Sequence, residues 1–436
     1  MFLSLALVLL GACLGSLCAL IPALHIYNVA GLAVLWLVAN PGSVAPEALA
    51  SFFMGLIVGY AFCNTIPAVF LSAPDDSTIF VVLPAQRYLL EGRGYEAVLL
   101  TALGGAGGLL ALIGLVPIAP YLLPPLRAVT QPHIHWMLGV IIVFMLMSEW
   151  PRGGTYGSPW RRWWGAWRSL LAGWLTFLLS GLLGLVLMYR TPVPVEMAYQ
   201  NLLPAFVGLF AFPALLIALF TETRLPPQHL SPSLDVTPDL ALRGVAAGVM
   251  GGLFAAFFPI VTGGIGGFLA GHATAQRDTR LFIIGQGANK VVYYVGSYLL
   301  FFVPNLHLAR GGMASMISTV FTAYTPATYY SLVAGMAFAG VIALGVLQIF
   351  ARIFARLAPH LPQRALSGVT LLIMVGIVGW LTGWGGLAVA GVATAIGLIP
   401  ILWGSRRMNC LGVLLLPVTL NMAGWGSVVA QWLGLI

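Results

Sequence analysis

Three short polar strings interrupt a chain that is otherwise apolar, and their residue types say what each could do. The first, Pro74-Asp75-Asp76-Ser77-Thr78, sets two adjacent carboxylates between long apolar runs. Ionisable groups at membrane depth are costly unless they face water, a partner or a ligand, so by default they mark a site. Asp75, Asp76 and Thr78 could hold a coupling cation, H+ or Na+, or serve gating. An Asp ahead of Ser and Thr is also an N-cap signal, and both roles are open. The second string, Thr262-Gly263-Gly264-Ile265-Gly266-Gly267, follows Phe258-Pro259. An interrupted helix frees N–H groups that, with the helix dipole, hold an anion, and glycines let a ligand approach the backbone. Tight helix packing through small residues is the alternative. The third, Gly285-Gln286-Gly287-Ala288-Asn289-Lys290, carries the only lysine of the chain. Lys290 could pair with a carboxylate or phosphate, or snorkel to the membrane surface. His25, near Asn28 in Ile21-Pro22-Ala23-Leu24-His25-Ile26-Tyr27-Asn28, could relay protons or be a hydrogen-bonded core histidine.

The elements that must position these residues are membrane helices. Sixty per cent of the 436 residues are hydrophobic and 7% are charged, against roughly 25% charged in soluble domains. Apolar runs of about 20 residues suit α-helices, whereas a barrel would show alternating strands of about 10. The expected class is an all-α polytopic membrane protein with 10–14 transmembrane or re-entrant helices. Candidate spans are 2–21, 29–39, 50–71, 79–90, 97–120, 134–150, 169–189, 202–220, 241–258, 281–303, 328–350, 366–383, 386–403 and 410–434, with 29–39 and 79–90 short. The first is read as a helix and not a cleaved signal, because it lacks a basic leader and a small-residue cleavage site. Cys13, Cys18, Cys63 and Cys410 sit in apolar runs without metal-ligand spacing and read as small hydrophobes.

Of 19 cationic residues, 18 are arginine, and assigning their clusters to the cytoplasm leaves only Arg127, Arg190 and Arg310 outside. Topology thus accounts for the net charge of +8 without a nucleic-acid partner, and Trp160-Arg161-Arg162-Trp163-Trp164 reads as an interfacial anchor. Residues 1–220 and 241–436 read as two membrane repeats joined by a polar, Pro-rich cytoplasmic linker at 221–240. Each opens with an apolar helix running into a Pro-bearing break, followed later by an asparagine in a second interrupted run, Asn64-Thr65 and Asn289. Opposite inferred directions make the halves inverted repeats, the arrangement in which secondary transporters build midplane sites from broken helices. Arg87 and Glu91, at i,i+4, read as a solvated ion pair. Neither a P-loop, an H-E-x-x-H nor a G-x-S-x-G occurs, so an ATP-driven pump or a familiar hydrolase is not indicated.

From Phe52-Phe53-Met54-Gly55 through Phe70-Leu71-Ser72-Ala73-Pro74-Asp75-Asp76-Ser77-Thr78 to Leu90-Glu91-Gly92-Arg93-Gly94-Tyr95-Glu96-Ala97-Val98 and the glycine-rich run at Gly104, the chain resembles a known family. That family is the large membrane subunit of tripartite tricarboxylate transporters, the TctA-like permeases, of which this is a shorter, divergent form. The resemblance implies a permease of two related halves, accompanied by a small membrane subunit and an extracytoplasmic binding protein. The expected function is secondary transport of an organic anion, a carboxylate, in the cytoplasmic membrane. Its substrate-binding residues would be His25, Asn28, Asn64, Thr65, Thr262, Gly263, Gly264, Gln286, Asn289 and Lys290. No enzymatic activity, cofactor or metal is expected beyond H+ or Na+ as coupling ion. Partners would be a small anion, membrane lipids and, by analogy, a second copy of the chain. Translocation of a lipid-linked phosphate such as a polyprenyl phosphate, or a structural role in a larger membrane complex, are the alternatives.

Overall fold

The computed structural model describes every residue except 1, 22–23, 72–76, 79, 152–156, 195–196, 198–199, 222–224, 232 and 322–323. Regular elements among the described residues are helical. The first part of the chain forms α1 (Phe2–Leu20), α2 (Ile26–Ala39), α3 (Pro46–Cys63), α4 (Thr65–Phe70), α5 (Val82–Leu90), α6 (Gly94–Leu115) and α7 (Ala119–Thr130). Then come α8 (Ile134–Met147), α9 (Pro159–Tyr189), α10 (Leu203–Phe206), α11 (Phe212–Phe220), α12 (Pro238–Phe257), α13 (Gly263–Ala273) and α14 (Thr279–Phe302). The chain closes with α15 (Gly311–Ser318), α16 (Pro326–Leu357), α17 (Gln363–Trp403), α18 (Gly412–Met422) and α19 (Gly426–Trp432). Among the described residues, nine helical stretches are long and apolar enough to cross a membrane, or up to ten if a bent pair counts as one. The protein is a multi-pass membrane protein.

Local sequence sets several of these starts. Ser158, Thr237 and Thr325 each precede a proline and accept a hydrogen bond from the backbone N–H three residues on, opening α9, α12 and α16. The hydroxyl satisfies one orphan donor, and proline at the first helical position loses only an N–H that had no partner.

Two compact units emerge, each drawing on both halves of the sequence: residues 1–128 with 222–366, and 129–221 with 367–436. In the first unit, α1 and α3 cross in direct backbone contact. A Cβ on Gly11 or Gly15 would strike the Phe52 or Leu56 carbonyl, and one on Gly55 or Gly59 would strike that of Val8 or Ala12. Close approach of this kind maximises van der Waals contact where lipid supplies no hydrophobic drive between helices. By the same device α14 lies against α6 at Gly104 and Gly287, and against α12 at Gly248 and Gly252. Twenty of its 24 residues are buried, although it is too polar to count among the nine apolar spans.

The polar segment before α12 is docked onto this unit. The Gln228 amide accepts from Gly94 N (2.8 Å) and donates to the Leu89 carbonyl (3.0 Å), and His229 N donates to the Gly92 carbonyl (2.7 Å). Arg280 bonds Asp235 and Asp278, each at 2.9 Å, and holds the Asp278 carboxyl below its usual range. The expected Arg87–Glu91 pair does not form. Arg93 pairs instead with Glu96 at 2.7 Å and Glu91 at 3.6 Å, because the turn at Gly92 brings its guanidinium back over both carboxylates and the Tyr88 ring.

In the second unit α9 packs on α18, and the buried Glu149 carboxylate accepts from Ser405 Oγ (3.0 Å), Arg406 N (2.5 Å) and Asn409 Nδ2 (3.0 Å). Within α17, Gly383 leaves helical geometry (φ 65°, ψ −165°), close to where the sequence divides spans 366–383 and 386–403. Two expected boundaries are corrected. The 410–434 run is no single straight span, since α18 and α19 meet at 114° around the positive-φ Gly424. The loop expected at 121–133 is helical, so residues 119–147 form one candidate span. At 14 and 9 residues, α2 and α5 are too short to cross alone.

The glycine crossings are testable by contrast. Gly55→Ala forces a Cβ into the Val8 carbonyl and lowers stability in detergent by about 1–3 kcal/mol. Gly114→Ala, on an α6 position with nothing within 4 Å, raises stability by up to about 1 kcal/mol through helix propensity. Thermal melts of the two variants check both signs.

Candidate functional site

Pro67 cannot donate to the Cys63 carbonyl, so the α3–α4 run breaks at Asn64, where α3 ends and a second helical segment begins. Lys290, from the middle of α14, reaches into that break. Its Nζ donates to Asn64 Oδ1 (2.6 Å) and Thr65 Oγ1, with the Phe62 carbonyl at 3.5 Å. At 2% exposure it is a core residue and does not snorkel. Asn64 in turn donates to Ser77 Oγ (3.4 Å), and the Ser77 side chain lies against Gly263 at the start of α13.

The second break runs through Phe258-Pro259-Ile260-Val261. Ile260 sits at φ 62°, a left-handed conformation that is a genuine outlier for a β-branched residue and stores about 1–3 kcal/mol. Thr262 then caps α13, accepting from Ile265 N (3.4 Å). This corrects the expectation for the glycine string, whose residues 263–267 are helical and not the break itself. Gly266 packs on Gly251 and Gly267 on the Gln286 amide, which is the small-residue packing role, while Gly263 and Gly264 form the first turn. Asn289 Nδ2 donates to the Gly263 carbonyl at 2.6 Å. The amide oxygens of Asn289 and Gln286 are buried with no hydrogen-bond partner.

One turn farther along α14, Tyr294 meets the other short helix. His25 caps α2 by accepting from Tyr27 N at 3.3 Å, and its Nε2 lies 3.4 Å from the Tyr294 hydroxyl. Its ring centroid is 4.7 Å from that of Tyr60, and Tyr60 stands edge-on to Tyr294 at 5.8 Å. Asn28 follows in the first turn of α2, buried, with Nδ2 lacking a partner. The starts of α2 and α13 thus both abut α14 between Asn289 and Tyr294.

Most of the expected binding residues therefore share one region of the first unit. Lys290, Asn64 and Thr65 touch directly; Asn289 joins Gly263, and Gln286 lies one turn back along α14. Thr262 and Gly264 belong to the start of α13, while His25 and Asn28 belong to that of α2. Thr78 is buried just beyond Ser77, its carbonyl accepting from Val81 N. Asp75 and Asp76 lie outside the described residues, as does the Pro22 position of the first break. Sequence reasoning missed Tyr60, Tyr294 and Ser77. The first two were findable, since they stand four residues from Asn64 and Lys290 on the same helical faces.

A half-open cavity of about 410 Å³ lies elsewhere in the same unit, lined mostly by apolar side chains of α6, α7, α12 and α14, with Phe258 and Tyr329. None of residues 262–267 lines it, so it is not the lipid-open groove beside the glycine string that a lipid-phosphate translocase would need.

Residues 5–412 match the sequence profile of the tripartite tricarboxylate transporter TctA family. The chain is also similar to the uncharacterized protein MJ1079 of Methanocaldococcus jannaschii, 26% identical over 322 residues, which is 72% of each chain. No solved structure matches it.

Relief of the Ile260 strain gives a test of this geometry. Ile260→Gly removes the left-handed penalty and raises stability by about 1 kcal/mol, read from a thermal melt beside the wild type.

Proposed function

The chain belongs to the tripartite tricarboxylate transporter TctA family and is a component of such a transporter, and on that premise we propose that the Lys290 region binds an organic anion carrying carboxylates. The observation that supports this most is a single buried ammonium, held by Asn64 and Thr65 between the starts of two short helices. Each helix N-terminus contributes roughly half a positive charge. Lys290 adds an ammonium whose hydrogen-bond partners Asn64 and Thr65 are neutral, which favours an anion.

In this reading Lys290 exchanges Asn64 and Thr65 for a substrate carboxylate, and the first-turn N–H groups of Gly263 and Gly264 hold a second. Asn289 fixes the start of α13 through the Gly263 carbonyl, and its own amide oxygen and that of Gln286 accept from substrate hydroxyls. His25, Asn28 and the Tyr60–Tyr294 pair close the α2 side. The glycine-locked helices α1, α3, α6, α12, α13 and α14 form the fixed part. Short α2 forms the part that moves to alternate access, in two halves of inverted topology, with Asp75, Asp76 and Thr78 serving H+ or Na+ coupling or gating. Membership of a tripartite system implies other subunits; a small membrane protein and an extracytoplasmic binding protein that delivers substrate fit this scheme.

Binding of citrate, succinate and lactate is measured by thermal shift, and uptake in proteoliposomes with the partner subunits. Lys290→Gln is expected to weaken binding of the trianion by about tenfold to a hundredfold, the worth of a lost charge-assisted hydrogen bond. Lys290→Arg retains part of it, and loss is steeper for citrate than for lactate. Unchanged binding and uptake in Lys290→Gln sinks the assignment.

A further inference from the structure

The second unit has an end where positive charge meets no carboxylate. With 31 residues, α9 is longer than the roughly 20 that cross a bilayer, and the excess lies at its start. There, residues 159–168 hold four tryptophans and three arginines. Trp160 stacks on Trp163 with ring centroids 5.2 Å apart, Trp163 lies 6.2 Å from Trp167, and Trp167 meets Trp150, just beyond α8, at 6.1 Å. The chain leaves this row uncovered, Trp160 being 71% and Trp150 59% exposed. Arg161 and Arg168, seven residues apart, share the face beside it, with Trp164 between them. The Arg168 guanidinium reaches the segment leading to α18, 4.0 Å from where a Gly404 Cβ would stand. Arg162 donates through Nε to the Gly157 carbonyl at 2.8 Å.

Arg161, Arg162 and Arg168 are exposed, and among the described residues no carboxylate pairs with any of them. Glu149, the acidic side chain described in this unit, is buried and taken up by Ser405, Asn409 and the Arg406 backbone. In the first unit, by contrast, Arg93, Arg243 and Arg280 all face carboxylates of the chain itself. We propose that the start of α9 binds the headgroups of anionic phospholipids, with the tryptophan row at the level of the lipid ester groups and the three guanidinium groups on phosphates. Two features fix this occupant. Uncovered indoles belong at the bilayer surface, one end apolar and the other wet, whereas a soluble acidic partner would leave them in water. Three cations without a counter-ion call for net negative charge, and a guanidinium takes phosphate oxygens in a bidentate fork. The arginine-rich side of the chain meets the cytoplasmic leaflet, which carries acidic lipid, and each such residue is worth roughly fivefold in lipid affinity.

The wild-type chain, stripped of lipid in neutral detergent, is titrated with phosphatidylglycerol, phosphatidylcholine or hexaglutamate, following melting temperature and, by native mass spectrometry, retained lipid. Phosphatidylglycerol should raise the melting temperature and stay bound, less so at high salt because the guanidinium groups are exposed, while the other two do neither. The triple variant Arg161→Gln, Arg162→Gln, Arg168→Gln should need about a hundredfold more phosphatidylglycerol for half the shift, with its lipid-free melting temperature unmoved. Arg243→Gln, which removes a carboxylate-paired arginine of the first unit, should respond as the wild type does. Equal stabilisation by phosphatidylcholine would overturn the headgroup assignment, and stabilisation by hexaglutamate would show a protein-docking surface instead. An undiminished response of the triple variant, or an equal loss in Arg243→Gln, would overturn the proposal outright.

Discussion

A lysine ammonium at 2% exposure in a membrane-spanning chain must find inside the protein the solvation that water would give it. An isolated buried charge costs many kcal/mol, so such groups are either neutralised or surrounded by oriented oxygens. Among the described residues such oxygens include the Asn64 amide and the Thr65 hydroxyl, with the Phe62 carbonyl at the edge. All come from a break that Pro67 imposes on the helix opposite. The lysine and the two side chains at that turn are thus one arrangement, polar groups that satisfy one another away from water.

That arrangement dictates how its surroundings pack. α14 carries Gln286, Asn289, Lys290, Tyr293, Tyr294 and Ser297 on one stripe, and a helix so polar cannot face lipid. It is enclosed on its other sides by α6 and α12, and glycines on those helices bring the backbones into contact. The same economy of side chains at the α1–α3 crossing holds α3, and with it Asn64, at a fixed distance. Short α13 is locked to α12 in the same reciprocal way at Gly251 and Gly266, whereas short α2 shows no such crossing. Both meet the α14 stripe at their first turns, where the His25 and Thr262 caps lie.

The second unit has its own polar anchor, a buried Glu149 that gathers a serine, an asparagine and a backbone N–H from the start of the segment leading to α18. Its charge is met by hydrogen bonds to the carboxylate, the counterpart of the lysine's solution with the sign reversed. The α17 bend at Gly383 and the α18–α19 turn show that glycines here also shape helices by allowing positive φ.

Composition, run length and the arginine distribution were enough to establish a polytopic helical membrane protein, because lipid admits few alternatives to a satisfied backbone. The resemblance carried by residues 52–98 pointed to the family that the profile match over 5–412 shows. Residue type alone also nominated Lys290, Asn64 and Asn289, since polar groups in apolar runs are too costly to be incidental. What the sequence could not decide was which of them meet. Lys290 and Asn64 are 226 residues apart, and only the crossing of α14 with α3 brings them to hydrogen-bond distance. The glycine string read equally as an anion cradle or as packing, and the structure divides it: Gly263 and Gly264 at the helix start, Gly266 and Gly267 against neighbouring helices. The placement of strain on Ile260, where four glycines stand within seven residues, follows from the chain path between α12 and α13, which no local preference of isoleucine encodes.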